Sequence, residues 1–141
     1  MSHQKISVRV DTAINAPISQ VWHCWVLPEH IVNWYFASDD WHAPVAENDL
    51  REGGKFMIRM ESKEDNIGFD FEGTYTHIVV GELIEYKLGD GRKVKIEFSV
   101  LDGVTHVVES FDTEGENPVD MQLAGWQAIL DNFKKYVEAG H

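Results

Sequence analysis

The sequence lacks most of the chemistry that announces itself in a motif. Cys24 is the one cysteine among 141 residues, which excludes an intrachain disulfide and any cysteine-rich zinc site. It falls in a helical pattern between Trp22 and Trp25, the setting of a buried, inert thiol rather than a nucleophile. Cations are scarce as well: 12 Lys and Arg face 24 Asp and Glu, a formal charge of −12. Neutralising phosphates takes clustered Lys and Arg, so this balance argues against nucleic acid as a partner and disfavours attachment to anionic membranes. No run of about 18 apolar residues occurs, and no cationic-then-apolar N-terminus. Neither a membrane span nor a secretory signal is therefore expected, and the cytoplasm is the expected location. The sequence contains no Gly-x-Ser-x-Gly, no phosphate-binding glycine loop and no Gly-x-Gly-x-x-Gly. Of the seven histidines, His3 and His141 are terminal. The others, His23, His30, His42, His77 and His106, show neither His-x-x-x-His nor His-Glu-x-x-His spacing. No metal and no other cofactor is expected.

What the chain does have is length for one domain, residues 1–141, and many large aromatics: five Trp and seven Phe. Such side chains fill cores and also line apolar ligand pockets, so the count leaves both uses open. The last stretch organises the rest. Residues 117–140 read as one long amphipathic helix, with Pro118 in its first turn and Gly140 at its stop. Met121, Gly125, Trp126, Ile129, Leu130, Phe133, Tyr136 and Val137 recur at spacings of three and four and form a wide apolar stripe that must be covered.

The preceding elements supply the cover. Ile6, Val8, Val10, Thr12 and Ile14 alternate with Lys5, Ser7, Arg9, Asp11 and Ala13, the period of a strand with one wet face. Pro17 starts a short helix with Ile18, Val21, Trp22 and Trp25 on one side; Pro28 ends it, and a second short helix spans about 29–34. Residues 36–48 are polar and irregular and read as a loop. Alternating strands follow around Phe56 to Met60, Phe69 to Val80, Leu83 to Leu88, Val94 to Val100 and Val104 to Phe111. Asp90-Gly91 and Asp102-Gly103 mark two tight hairpins. Successive hairpins give an antiparallel meander with helices on one face, an α+β fold.

These residues carry a family likeness. Ala16-Pro17 with Val21-Trp22, Pro28-Glu29-His30 with Trp34, Asp49-Leu50-Arg51 with Gly53-Gly54, Gly73-Thr74-Tyr75 and Gly125-Trp126 resemble, in order and spacing, the START-like, polyketide cyclase-like superfamily (SRPBCC, Bet v 1-like). Within it they look most like homologues of the activator of heat-shock protein 90 ATPase. The resemblance implies a helix-grip fold: a curved antiparallel sheet of six or seven strands around the long C-terminal helix, with two short helices between strands 1 and 2. It also implies a cavity between sheet and helix, and an apolar or amphipathic small molecule as partner. Some superfamily members are cyclases, which leaves an enzyme as an alternative. The eukaryotic activator contacts its chaperone through a separate N-terminal domain that this chain is too short to contain, which makes a chaperone partner doubtful; a protein-interaction module or stress-related chaperone regulator is the further alternative. Exposed sheet edges leave room for a homodimer.

The candidate ligand-binding residues are Trp34, Phe36, Trp41, Phe71, Tyr75, Phe98, Glu109, Phe111, Gly125, Trp126, Ile129 and Phe133. Glu109 is the polar candidate. If Val107 and Phe111 face inward, so must Glu109, and a desolvated carboxylate there has a raised pKa and suits a ligand anchor or general acid. If the face of Val104, His106 and Val108 points inward instead, or if Arg59 pairs with it, the role is structural. Trp41-His42 in the 36–48 loop suggests a lid, with Trp34, Phe36 and Trp41 stacking on a ligand; the same residues could equally plug the core. A cyclase-type enzyme would use Glu109, Tyr75 or His42 for proton transfer and requires at least two of them to converge. Arg51 and Arg59 have the fork geometry for an anionic ligand group or lie on the outer face. Asp70 and Glu72 read as solvated.

Overall fold

A computed structural model describes residues 6–141; Lys5, read above as part of the first strand, lies outside the described residues. Strand β1 (Ser7–Ile14) is followed by helices α1 (Ile18–Val26) and α2 (Pro28–Ile31). Strands β2 (Trp41–Asn48), β3 (Lys55–Ser62), β4 (Gly68–Val79), β5 (Leu83–Leu88), β6 (Lys93–Leu101) and β7 (Val104–Asp112) come next, and helix α3 (Val119–Glu138) ends the chain. All seven strands form one antiparallel sheet in the order β1-β7-β6-β5-β4-β3-β2. The fold is the helix-grip arrangement: a curled sheet closed on one face by α3 and the two short helices.

Local chemistry explains the turns. Asp102 and Gly103 both have positive φ, 52° and 78°, which a two-residue type I′ hairpin requires at both central positions. At Gly73 the reason is space. A Cβ there would stand 2.6 Å from the Phe56 ring, so the missing side chain lets that ring approach the β4 backbone closely.

The segment 36–48 is a correction to the sequence reading. Its second half is not loop but β2, an edge strand paired with β3, and the register slips between His42 and Val45. Pro44 lies inside that slip. Proline lacks the N–H that a regular ladder needs, but an edge strand or bulge tolerates the loss, and the slip breaks the alternation by which a strand is recognised. The second short helix is also briefer than the reading, ending at Ile31. At the start of α3, Met121 is exposed and Gln122 is buried in its place. The amide of Gln122 is satisfied there: its Oε1 accepts from the Glu114 N–H, and its Nε2 donates to the carbonyls of Glu114 and Asn117. It thereby closes the loop that leads into the helix.

The inward face of β7 is the odd one. Thr105, Val107, Glu109 and Phe111 are buried, while Asp11 and Glu97 lie opposite outward-facing Val108. Helix α3 lies over β1, with Asn15 N–H donating to Glu138 Oε2 and Gln127 Nε2 donating to the Asp11 carbonyl. Leu130, Phe133 and Val137 are fully buried beneath it.

Candidate functional site

The C-terminal half of α3 and its N-terminal half do different work. Around Phe133 the interior is solid: its ring meets Trp25 at 4.9 Å and Trp34 at 4.5 Å between centroids. Trp34 is wholly buried, and its Nε1 donates to the Cys24 carbonyl at 2.9 Å. Phe98 packs edge-on against Trp22 and Trp25. Trp22, Trp34, Phe98 and Phe133 form the core, Trp25 lies between it and the cavity, and burial pushes the Cys24 thiol pKa up.

Towards the helix N-terminus the packing opens. A cavity of about 220 Å³ lies between α3 and the sheet, lined by Trp25, Tyr35, Met60, Phe69, Phe71, Arg92, Glu109, Trp126 and Ile129. Trp126 forms its helix-side wall, stacked on Phe111 at 3.9 Å with the rings 6° from parallel, and meets Phe71 edge-on at 6.2 Å. Other depressions lie on the outer face of the sheet and are lined chiefly by polar side chains such as Lys93, Lys95, Ser110 and Asp112.

Glu109 is the unusual group in this cavity. It is 3% exposed, its cross-strand neighbours are the apolar Val10 and Ile96, and no hydrogen bond or salt bridge reaches its carboxyl among the described residues. Burial alone pushes its pKa up to about 8, because the charged form has no compensating partner. Burial raises the phenols of Tyr35 and Tyr86 well above their ordinary range, with the Glu109 charge adding to the shift at Tyr35, and Tyr35 and then Glu109 adding to it at Tyr86. Arg92, at the β5–β6 turn, lines the same cavity but pairs with Asp90 (Nε to Oδ2, 2.7 Å) rather than with Glu109.

Of the sequence candidates, Phe71, Glu109, Trp126 and Ile129 face this cavity, and Phe111 backs it. Trp34, Phe98 and Phe133 lie in the core. Phe36 is half-buried beyond α2, with its carbonyl near Asn132 Nδ2. Trp41 stands at the start of β2 with its ring 6.1 Å from Phe69. Gly125 is on the flank of α3, where a Cβ would meet nothing within 4 Å, and it is not part of the lining. The three proton-transfer candidates occupy three places. Tyr75 lines a separate void of about 30 Å³ and donates to Asn48 Oδ1 at 2.6 Å. Burial pushes its hydroxyl pKa well above the ordinary phenol range, beyond any use near neutral pH, and His42 sits on the edge strand 3.6 Å from Glu61. Arg59 is held on the outer face by Glu61 and Asp70, and Arg51 by Asp49 in the turn before β3. Among the described residues no cluster of three potential ligands could hold a metal, and no helix is long and apolar enough to cross a membrane.

Five lining residues were not among the candidates. Trp25, Met60 and Phe69 each lie on the apolar face that periodicity assigns them, so the pattern marked them as inward without separating cavity from core. Tyr35 and Arg92 follow the end of a helix and a turn glycine, where side-chain direction has no period to read.

The sequence and the fold were compared with known proteins. The family model for activator of Hsp90 ATPase homolog 1-like protein matches residues 15–138. Among solved structures, the AHSA1-like protein from Aeromonas hydrophila is 40% identical over 95% of this chain and 93% of its own, with a TM-score of 0.90. A protein from Cytophaga hutchinsonii is 47% identical over 96% of this chain and 92% of its own, with a TM-score of 0.80. A protein from Chromobacterium violaceum shares the fold at 21% identity and a TM-score of 0.83, over 94% and 96% of the two chains. No curated protein matches the chain.

Proposed function

The chain belongs to the family of activator of Hsp90 ATPase homolog 1-like proteins, and from that premise we propose that it is a binding protein holding an apolar or amphipathic small molecule between the sheet and α3. One observation carries the reading: a cavity of about 220 Å³ walled, among the described residues, by five aromatic side chains and one carboxyl that has no partner among them. Small-molecule sites are concave, mostly apolar and furnished with few polar groups that orient the ligand. The size is informative. An apolar cavity of about 150 Å³ takes a benzene molecule, so this one suits a one- or two-ring compound or a short branched chain rather than a long lipid.

The test is mass spectrometry of small molecules released from the freshly purified protein, together with thermal melting against a panel of one- and two-ring compounds. Recovery of a stoichiometric small molecule, or a raised melting temperature with members of the panel, supports the reading. A protein that carries nothing and is stabilised by nothing contradicts it. A second reading, acid–base catalysis in the same cavity, draws support from the raised Glu109 pKa, which places a protonated carboxyl near neutrality. Its proton partner would have to come from the ligand, since Tyr75 and His42 lie elsewhere.

A further inference from the structure

The cavity lining is selective about charge. Resting on the cavity reading above, we propose that its ligand is a small organic cation, an amine carrying one aromatic or aliphatic ring, with its ammonium group against Glu109 and its apolar part among the aromatic walls.

Three observations converge on a cation. Glu109 is almost fully buried and makes no hydrogen bond or ion pair among the described residues, although a buried carboxylate is costly unless paired. The cationic group that also lines the cavity, Arg92, is occupied by Asp90 and further attracted by Glu114, so it supplies little net positive charge to the interior. The walls are aromatic faces and edges from Trp25, Tyr35, Phe71 and Trp126. Such surfaces attract ammonium groups through the ring quadrupole, most strongly where water is excluded. The chain's charge of −12 adds a long-range field of the same preference. An anionic ligand would meet Glu109 and the negative faces of the rings unfavourably.

The proton balance follows from the groups around Glu109. β1 and β6 flank it with Val10 and Ile96, Tyr35 and Tyr86 are held neutral by burial, and no histidine among the described residues lines the cavity. In the empty protein at pH 7 the carboxyl is protonated. When an ammonium group enters, the carboxyl releases its proton to solvent and the ion pair forms, so one proton leaves for each ligand bound.

The experiment uses three probes of matched size: 2-phenylethylamine, 2-phenylethanol and phenylacetate. Each is titrated calorimetrically into the whole protein and into Glu109→Gln, with melting curves confirming that the variant folds. The expected result is at least tenfold tighter binding of the amine at pH 8, a preference abolished in Glu109→Gln, and amine affinity rising up to tenfold from pH 6 to 7 with close to one proton released. Equal affinities for the three probes, or a preference for phenylacetate, would overturn the assignment while leaving the cavity reading intact. Binding of none of them, with no thermal stabilisation, would overturn both.

Discussion

The Phe111 and Trp126 rings lie 3.9 Å apart and within 6° of parallel, so the last buried side chain of β7 and the inner wall of α3 form one stack. This contact ties the helix to the sheet at the place where the interior is hollow. Trp126→Ala removes the stack and one cavity wall, and is expected to lower the unfolding free energy by about 3 kcal/mol. Trp126→Phe, which keeps a ring against Phe111, is expected to lose about 1 kcal/mol. Urea denaturation of both variants checks the order.

Glu109 makes stability depend on pH in a direction opposite to that of most carboxylates. Its pKa is about 8 in the folded chain against an ordinary 4.5, so the folded state holds a proton that the unfolded state gives up. The stability this lends is complete below about pH 4.5, falls as the pH rises towards 8 and then levels off. Glu109→Gln removes the titration. The variant is expected to gain on the wild type by up to about 1.4 kcal/mol per pH unit within that window, measured as the difference between denaturation curves at pH 5, 6, 7 and 8.

Gly125 tests whether the flank of α3 is free. A Cβ there meets nothing within 4 Å, and glycine inside a helix is worse than alanine by about 0.5 to 1 kcal/mol. Gly125→Ala is therefore expected to raise the melting temperature and leave probe binding unchanged.

Gly73 tests the reverse. Its Cβ would collide with the Phe56 ring at 2.6 Å, and Gly73→Ala is expected to cost about 1 to 3 kcal/mol through overpacking. Phe56→Leu in the same chain is expected to recover part of that loss, a coupling that a double-mutant cycle measures.

The fold was legible because local signals agreed with one another. Asp90-Gly91 and Asp102-Gly103 set two hairpins, and the spacing of Leu130, Phe133 and Val137 set the inner face of α3. Strand β2 was not legible, since Pro44 and the slip between His42 and Val45 erase the alternation that identifies a strand. Met121 and Gln122 show a second limit: hydrophobicity favoured Met121 inward, but three hydrogen bonds from the preceding loop make the amide the better buried group. For the site, the pattern put Phe71, Trp126 and Ile129 on inner faces, and Glu109 followed once β7 presented its odd face inward. Whether an inner face meets protein or empty space depends on how far two elements stand apart, which is why Phe98 and Phe133 are core while Trp126 is wall. Arg92 and Tyr35 enter the cavity from irregular segments that carry no such pattern.

The claim that the interior beside Trp126 receives a small molecule is tested most directly by the five indole N–H resonances in a two-dimensional nitrogen–proton NMR spectrum. On titration with toluene, the indole signals of Trp25 and Trp126 are expected to shift together and saturably, while that of Trp22, packed in the solid core against Phe98, stays in place. Indole signals that do not move at saturating toluene, or that all drift without saturation, would contradict it.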